Sequence, residues 1–143
     1  MKKIITILLT LLALATIGLT ACNTAKTATL ENTTWVLESY GKQAQLSPVL
    51  EGIKVTAVFD NNKGEVTGSA GCNNYFASYE INGSQISVSD VGATRMFCGE
   101  PAGLMEQEDQ YLMLLQGAET FQIKNNKLWI FSIDDQVLIF GAE

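Results

Sequence analysis

Three polar doublets, Asn82-Gly83, Asn125-Asn126 and Asp134-Asp135, each interrupt a run of β-branched and aromatic residues. Asparagine, aspartate and glycine tolerate positive φ, which a tight hairpin turn demands. Each doublet therefore predicts two antiparallel strands in sequence rather than a helix or a long crossover. The same reading extends upstream. "TWVLESY" (Thr34 to Tyr40) and "IKVTAVF" (Ile53 to Phe59) alternate in polarity as half-buried strands do, and "DNNKG" (Asp60 to Gly64) turns the chain into "EVTGSA". After residue 120 the two last doublets predict a meander of three short strands.

One segment departs from this pattern, "EPAGLMEQEDQYLMLLQGAE" (Glu100 to Glu119). Leu104, Tyr111, Leu112, Leu115 and Ala118 recur at helical spacing, Pro101 suits a first helical turn, and Gly117 suits the end. Acidic residues crowd the first half, where the helix dipole favours them. The expected fold class is α+β: mainly antiparallel β-sheet, or a small partly open β-barrel, with one packed α-helix over about residues 100–118. No period of 20–50 residues recurs, which excludes a solenoid. Glu108 interrupts the apolar face of that helix. The only arginine, Arg95, lies just upstream, so an Arg95–Glu108 ion pair is expected, with a solvated rim glutamate as the alternative.

The first 21 residues read differently. Lys2 and Lys3 form a basic start, and Ile4 to Leu19 an apolar stretch of secretory length, too short and too interrupted by threonine for a membrane span. "LTAC" (Leu19 to Cys22) matches a bacterial lipobox, so residues 1–21 are expected to be a lipoprotein signal peptide. Cys22 is the expected lipidation site, carrying acyl chains such as palmitate, and more than one chain anchors stably. Residues 22–29 are the lipidated end and a polar tether, and residues 30–143 form a single domain. Asn23 in place of aspartate leans toward the outer membrane or cell surface rather than the inner membrane. The expected localisation is the cell envelope, with the membrane as a partner through Cys22.

Cleavage before Cys22 leaves 122 of the 143 residues, enough for one domain with its own core. It also leaves seven basic residues against fifteen acidic ones. An acidic chain without a lysine or arginine cluster has no footprint for nucleic acid, so none is expected as partner.

Histidine is absent. That excludes Ser-His-Asp and Cys-His nucleophilic machinery and histidine-ligated zinc. Two cysteines beyond Cys22 are too few for a structural zinc site, and "DNNKGE" is too short for a calcium loop. No metal and no cofactor are therefore expected. Glu106, Glu108 and Asp109 could supply a glycosidase pair but are more simply dipole complements on one helix. Cys72 and Cys98, an even pair in an exported chain, read as a disulfide closing a 26-residue separation. A reactive thiol pair is the alternative, since Cys98 lies close to the helix start.

"NTTWVLESYG", "GSAGCNNYFASYEI", "TRMFCGEPAGLMEQEDQYLMLL" and "KLWIFSIDDQVLIF" together resemble the META domain of the HslJ-like bacterial proteins over essentially residues 30–140. The resemblance implies one small β-rich domain with a packed helix, in a secreted or lipid-anchored envelope protein associated with heat-shock or stress response and antibiotic tolerance. It implies no catalytic mechanism. Its motifs single out Trp35, Gly71, Cys72, Asn73, Asn74, Thr94, Met96, Cys98 and Glu108. Each has a structural role open to it: Trp35 in the core or as a cap on one end of the sheet, Gly71 and Asn73 in a turn, Met96 packed under the loop. Any binding surface is expected where Gly71, Asn73, Asn74 and Tyr75 meet Thr94 and Met96. Arg95 and Phe97 fall at variable positions and carry nothing over from the family.

The function expected first is a non-enzymatic, monomeric, lipid-anchored envelope protein that binds a protein partner or stabilises the envelope under stress. A carrier of a small apolar ligand or lipid inside the barrel, lined by inward residues of the strands around Ile53 to Phe59 and Leu128 to Phe131, is a second reading. Thiol redox chemistry at Cys72 and Cys98 is a third.

Overall fold

The computed structural model describes residues 28–143. The leader, Cys22 and the tether as far as residue 27 lie outside the described residues. Nine strands and one helix follow in the order β1 (Thr34–Lys42), β2 (Gln45–Pro48), β3 (Thr56–Asp60), β4 (Glu65–Ser69), β5 (Asn74–Asn82), β6 (Gln85–Ala93), α1 (Leu104–Gln116), β7 (Ala118–Lys124), β8 (Lys127–Ser132) and β9 (Gln136–Ala142).

Every strand pairs antiparallel with its neighbour, and β9 returns to β1, from Trp35 opposite Ala142 to Lys42 opposite Gln136. The result is a closed eight-stranded barrel, with β2 an added arm on the upper half of β1. Register shifts opposite Leu37/Ser39, Phe76/Ser78 and Ala118/Thr120 place extra residues in β1, β6 and β7. Such bulges bend and coil strands, which closure of so small a barrel requires. At the β6 bulge Asp90 takes a left-handed φ of 54°.

The turn doublets perform much as their chemistry predicts. Asn125 and Asn126 both adopt left-handed φ between β7 and β8, as do Asp134 and Asp135 between β8 and β9. The β5–β6 hairpin is shifted by one residue: Asn82 pairs with Gln85, so Gly83-Ser84 form the loop and Gly83 carries the positive φ. A glycine at the first central position is one of the two favoured hairpin solutions, and it frees Asn82 for the ladder.

The barrel is not uniformly sealed. β6 and β7 share a single register pair, Gln85 with Thr120, supported by Phe121 N–H donating to the Ser84 carbonyl at 2.9 Å. Helix α1, which connects these strands, packs across the gap against β6, β8 and β9. It starts at Leu104 rather than near residue 100. Gly103 holds a left-handed φ of 88°, and Pro101, after a cis peptide bond, stays outside the first helical turn. Its buried face is Leu104, Gln107, Glu108, Tyr111, Leu114 and Leu115. Leu112 is only half buried, and Ala118 belongs to β7.

One core fills the interior. Trp35, Phe59, Tyr111, Phe140, Leu114, Leu115, Leu128, Ile130 and Val55 are fully buried within it. Trp35 satisfies its indole N–H on the Leu30 carbonyl at 2.9 Å, which fixes where the chain enters the barrel. Ala28, two residues before the expected boundary, packs on the core and donates its N–H to Asn126 Oδ1 at 3.1 Å.

Candidate functional site

The β4–β5 turn brings the "GCNN" residues onto the start of α1. Gly71 adopts φ 124°, and a Cβ there would stand 2.9 Å from Leu104 Cδ1, so the turn approaches the helix as only glycine can. Glu108 reaches out of the helix to meet it. Its Oε2 accepts the N–H groups of Cys72 at 3.0 Å and Asn73 at 2.7 Å, and its Oε1 accepts Asn73 Nδ2 at 2.6 Å. A buried carboxylate is tolerable only when donors replace its water, and here three do.

Asn73 is the hub. It is 2 % exposed. Its Nδ2 also donates to the Met96 carbonyl at 3.1 Å, while its Oδ1 accepts the Thr94 hydroxyl at 2.7 Å and the Met96 N–H at 2.8 Å. Its own carbonyl accepts the Ala70 N–H at 2.7 Å. Both amide protons and both oxygen lone pairs of the side chain are thus in use. The Cys72–Cys98 disulfide, with Cα atoms 5.9 Å apart, closes the other end of the same segment. One turn, one helix carboxylate and one disulfide together hold residues 94–98 in place.

This geometry corrects the Arg95–Glu108 expectation. The ion pairs among the described residues are Lys54–Glu143, Lys63–Asp60 and Lys127–Glu38. Arg95 is exposed, while both Glu108 oxygens are taken by donors that arrive with the turn. The expected binding surface also divides. Asn73 and Tyr75 are buried and Gly71 is half buried, so these three support the platform and do not line it. Asn74 and Thr94 are exposed, and Met96 is 58 % exposed, displayed outward and not packed under the loop. Phe97, which the motif left out, is 83 % exposed.

Two supporting contacts escaped the sequence reading. Gln107 accepts the Leu50 N–H on Oε1 at 2.8 Å, tying the loop before β3 to the helix. Tyr111 meets Tyr75 hydroxyl to hydroxyl at 2.7 Å, and Tyr75 also donates to the Thr56 carbonyl at 3.0 Å. The signal for Gln107 was the one that flagged Glu108, a polar residue within an apolar helical stripe.

The site offers little to a reaction. Burial pushes the phenols of Tyr40, Tyr75, Tyr79 and Tyr111 up from their ordinary value, which keeps them neutral. Both cysteines are spent in the disulfide, which removes the reactive-thiol alternative from this state of the chain. Glu108 is saturated, and Glu106 and Asp109 are exposed on the helix. No cluster of three or more histidine, cysteine or acidic ligands occurs among the described residues. Val55, Ala57, Phe59, Leu128 and Ile130, which the carrier reading would put around a ligand, are packed together in the core. Beside the platform, a 480 Å³ concavity opens between β6 and α1, bounded by Val91, Ala93, Met96, Met105, Asp109 and Leu112.

The chain is similar to several solved structures. An NMR structure of a protein from Burkholderia xenovorans superposes with TM-score 0.65 at 24% identity, covering 80% of this chain and 83% of that one. A second NMR structure gives 0.60 at 21%, covering 80% and 94%. The crystal structure of a DUF4847 family protein from Bacteroides vulgatus gives 0.52 at 15%, covering 76% and 90%. These likenesses establish a shared fold. A search of curated proteins found no match. The family model of the META domain matches residues 28–143, the whole of the barrel and its helix, and the chain therefore belongs to the META-domain family.

Proposed function

We propose that this protein is a non-enzymatic, lipid-anchored envelope module whose disulfide-braced end binds a protein partner. The observation that carries the reading is the use of Asn73. Three of the four hydrogen bonds of its side chain hold the segment that displays Met96 and Phe97 to solvent, and the fourth ties it to Glu108 on the helix. A fixed loop presenting two large apolar side chains loses little conformational freedom on binding, which favours recognition over chemistry. Anchoring at Cys22 is supported by the lipobox and the preceding apolar leader.

The β4–β5 turn stands at the end of the barrel opposite the β3–β4 turn, and Glu31 pairs with Phe59 at the latter end. An anchor upstream of Ala28 would therefore leave the braced loop pointing away from the membrane.

A photoreactive amino acid placed at position 97 in living cells, with position 61 in the β3–β4 turn as control, tests the reading. A discrete protein adduct at 97 and none at 61 is expected. Adducts only at 61, or none at either position, would overturn it. Incorporation of a clickable fatty acid, lost in Cys22→Ala, checks the anchor.

A further inference from the structure

We infer that the partner of the braced end is a second copy of this chain, with Phe97 of each copy entering the other's groove between β6 and α1 about a two-fold axis. The inference rests on the partner-binding reading and names the partner, where the sequence alone suggested a monomer.

Knob and hole sit side by side. Met96 belongs to the lining of the 480 Å³ groove, whose apolar floor is Val91, Ala93, Met105 and Leu112. Phe97, the next residue, stands outside that lining and is 83 % exposed. Asn73 holds the N–H and the carbonyl of Met96, and the disulfide holds Cys98. The backbone is thus fixed on both sides of position 97, which keeps the ring out of the groove of its own copy. A second copy matches this arrangement, because one two-fold axis fills both holes with both knobs at once. Phe76 extends the apolar rim. It is 60 % exposed, and its ring covers Gly92 on the groove wall, where a Cβ would stand 2.6 Å from Phe76 Cζ.

Charge favours a second copy over a strongly basic or acidic partner. The groove lining carries one exposed cation, Arg95 just after β6, and one exposed carboxylate, Asp109 on α1. Glu108, the third charged residue there, is buried and saturated by the turn. Neither Arg95 nor Asp109 is in an ion pair among the described residues. A partner of one sign would leave one of them unmatched. The same face on a second copy supplies both complements, Arg95 against Asp109 across the axis, twice. The formal charge of −6 repels a second copy at long range. Physiological salt screens that repulsion beyond about 8 Å, so it slows encounter and leaves the contact itself to decide affinity.

Sedimentation of the full chain in mild, density-matched detergent tests the pairing. A monomer–dimer equilibrium with Kd of about 10 μM or tighter is expected. Phe97→Ala should weaken it about a hundredfold, because each loss counts twice across a two-fold axis. Arg95→Asp alone and Asp109→Arg alone should each weaken it about tenfold. An equimolar mixture of those two variants should associate as the parent does, since both cross-axis pairs then form between unlike copies. Urea midpoints confirm that all three variants fold.

A chain that stays monomeric at about 200 μM would overturn the inference. A dimer untouched by Phe97→Ala would overturn the location, and a mixture no stronger than its two components would overturn the reciprocal pairing. If adducts at position 97 contain a different protein while the chain sediments as a monomer, partner binding stands and the second copy falls.

Discussion

Replacing Asn73 by alanine strands the Met96 N–H and deprives the buried Glu108 carboxylate of a 2.6 Å donor. Asn73→Ala should therefore destabilise the protein by about 3 kcal/mol or more, read from urea unfolding. Glu108→Gln presents an amide N–H₂ to a site built of donors and should lose about 1–3 kcal/mol. Arg95→Ala should stay within about 0.5 kcal/mol, and a large loss there would revive the abandoned ion pair. The paired phenols of Tyr75 and Tyr111 add a pH dependence. Burial raises both above the ordinary 10.0. The unfolded chain thus loses these protons first, so their contribution is whole below pH 10 and fades as pH climbs beyond it. The expected slope is about 1.4 kcal/mol per pH unit for each phenol. Urea midpoints at pH 9 and 11 should lie closer together in Tyr75→Phe/Tyr111→Phe than in the parent, and an unchanged slope would exonerate the pair. At this scale the sequence made Glu108 conspicuous, because a carboxylate broke an apolar stripe. Its partner was not legible, since nothing in helical periodicity points to a turn 35 residues upstream.

Strands and helix were readable where local chemistry decides them. Alternating residues fixed β1 and β8, and positive-φ doublets fixed the last two hairpins. The helix start was misplaced because Pro101 suits a first turn in isolation, whereas Gly103 sets the actual boundary. One glycine tests how closely elements approach. At Gly68 a Cβ would fall 2.0 Å from the Thr56 carbonyl oxygen, which is backbone and cannot yield. Gly68→Ala should cost more than about 2 kcal/mol through separation of β3 from β4, visible as a lowered melting temperature. The double variant Cys72→Ser/Cys98→Ser should lose about 3–4 kcal/mol from the 26-residue closure, with the Asn73–Glu108 contacts surviving. If the variant instead unfolds at room temperature, the disulfide carries more of the turn than Asn73 does.

Closure of the barrel belongs to the whole molecule, and no window of sequence reveals it. β1 and β9 meet across almost the full domain, and pairing at that separation depends on bulges and tilt set by every strand between them. The sequence reading could reach a partly open barrel but not the position of its gap, which follows from α1 occupying the place of a longer β6–β7 ladder. Hydrogen exchange should show this unevenness. Amides of β8 and β9 are expected to be slowest and those of the fully exposed β2 fastest, with uniform protection counting against the described topology.

The same closure draws the two ends of the described domain together. Ala28 and Ala142 both bond to Asn126, and the Glu143 N–H donates to the Thr34 carbonyl. An affinity handle or fluorescent reporter added after Glu143 would hang at the pole where Ala28 meets Asn126, far from the disulfide. A domain beginning at Ala28 can thus be immobilised by either end on a bead or sensor chip with the same pole facing solution, and a short linker from Glu143 to Ala28 would permit new termini to be cut into the exposed β3–β4 turn.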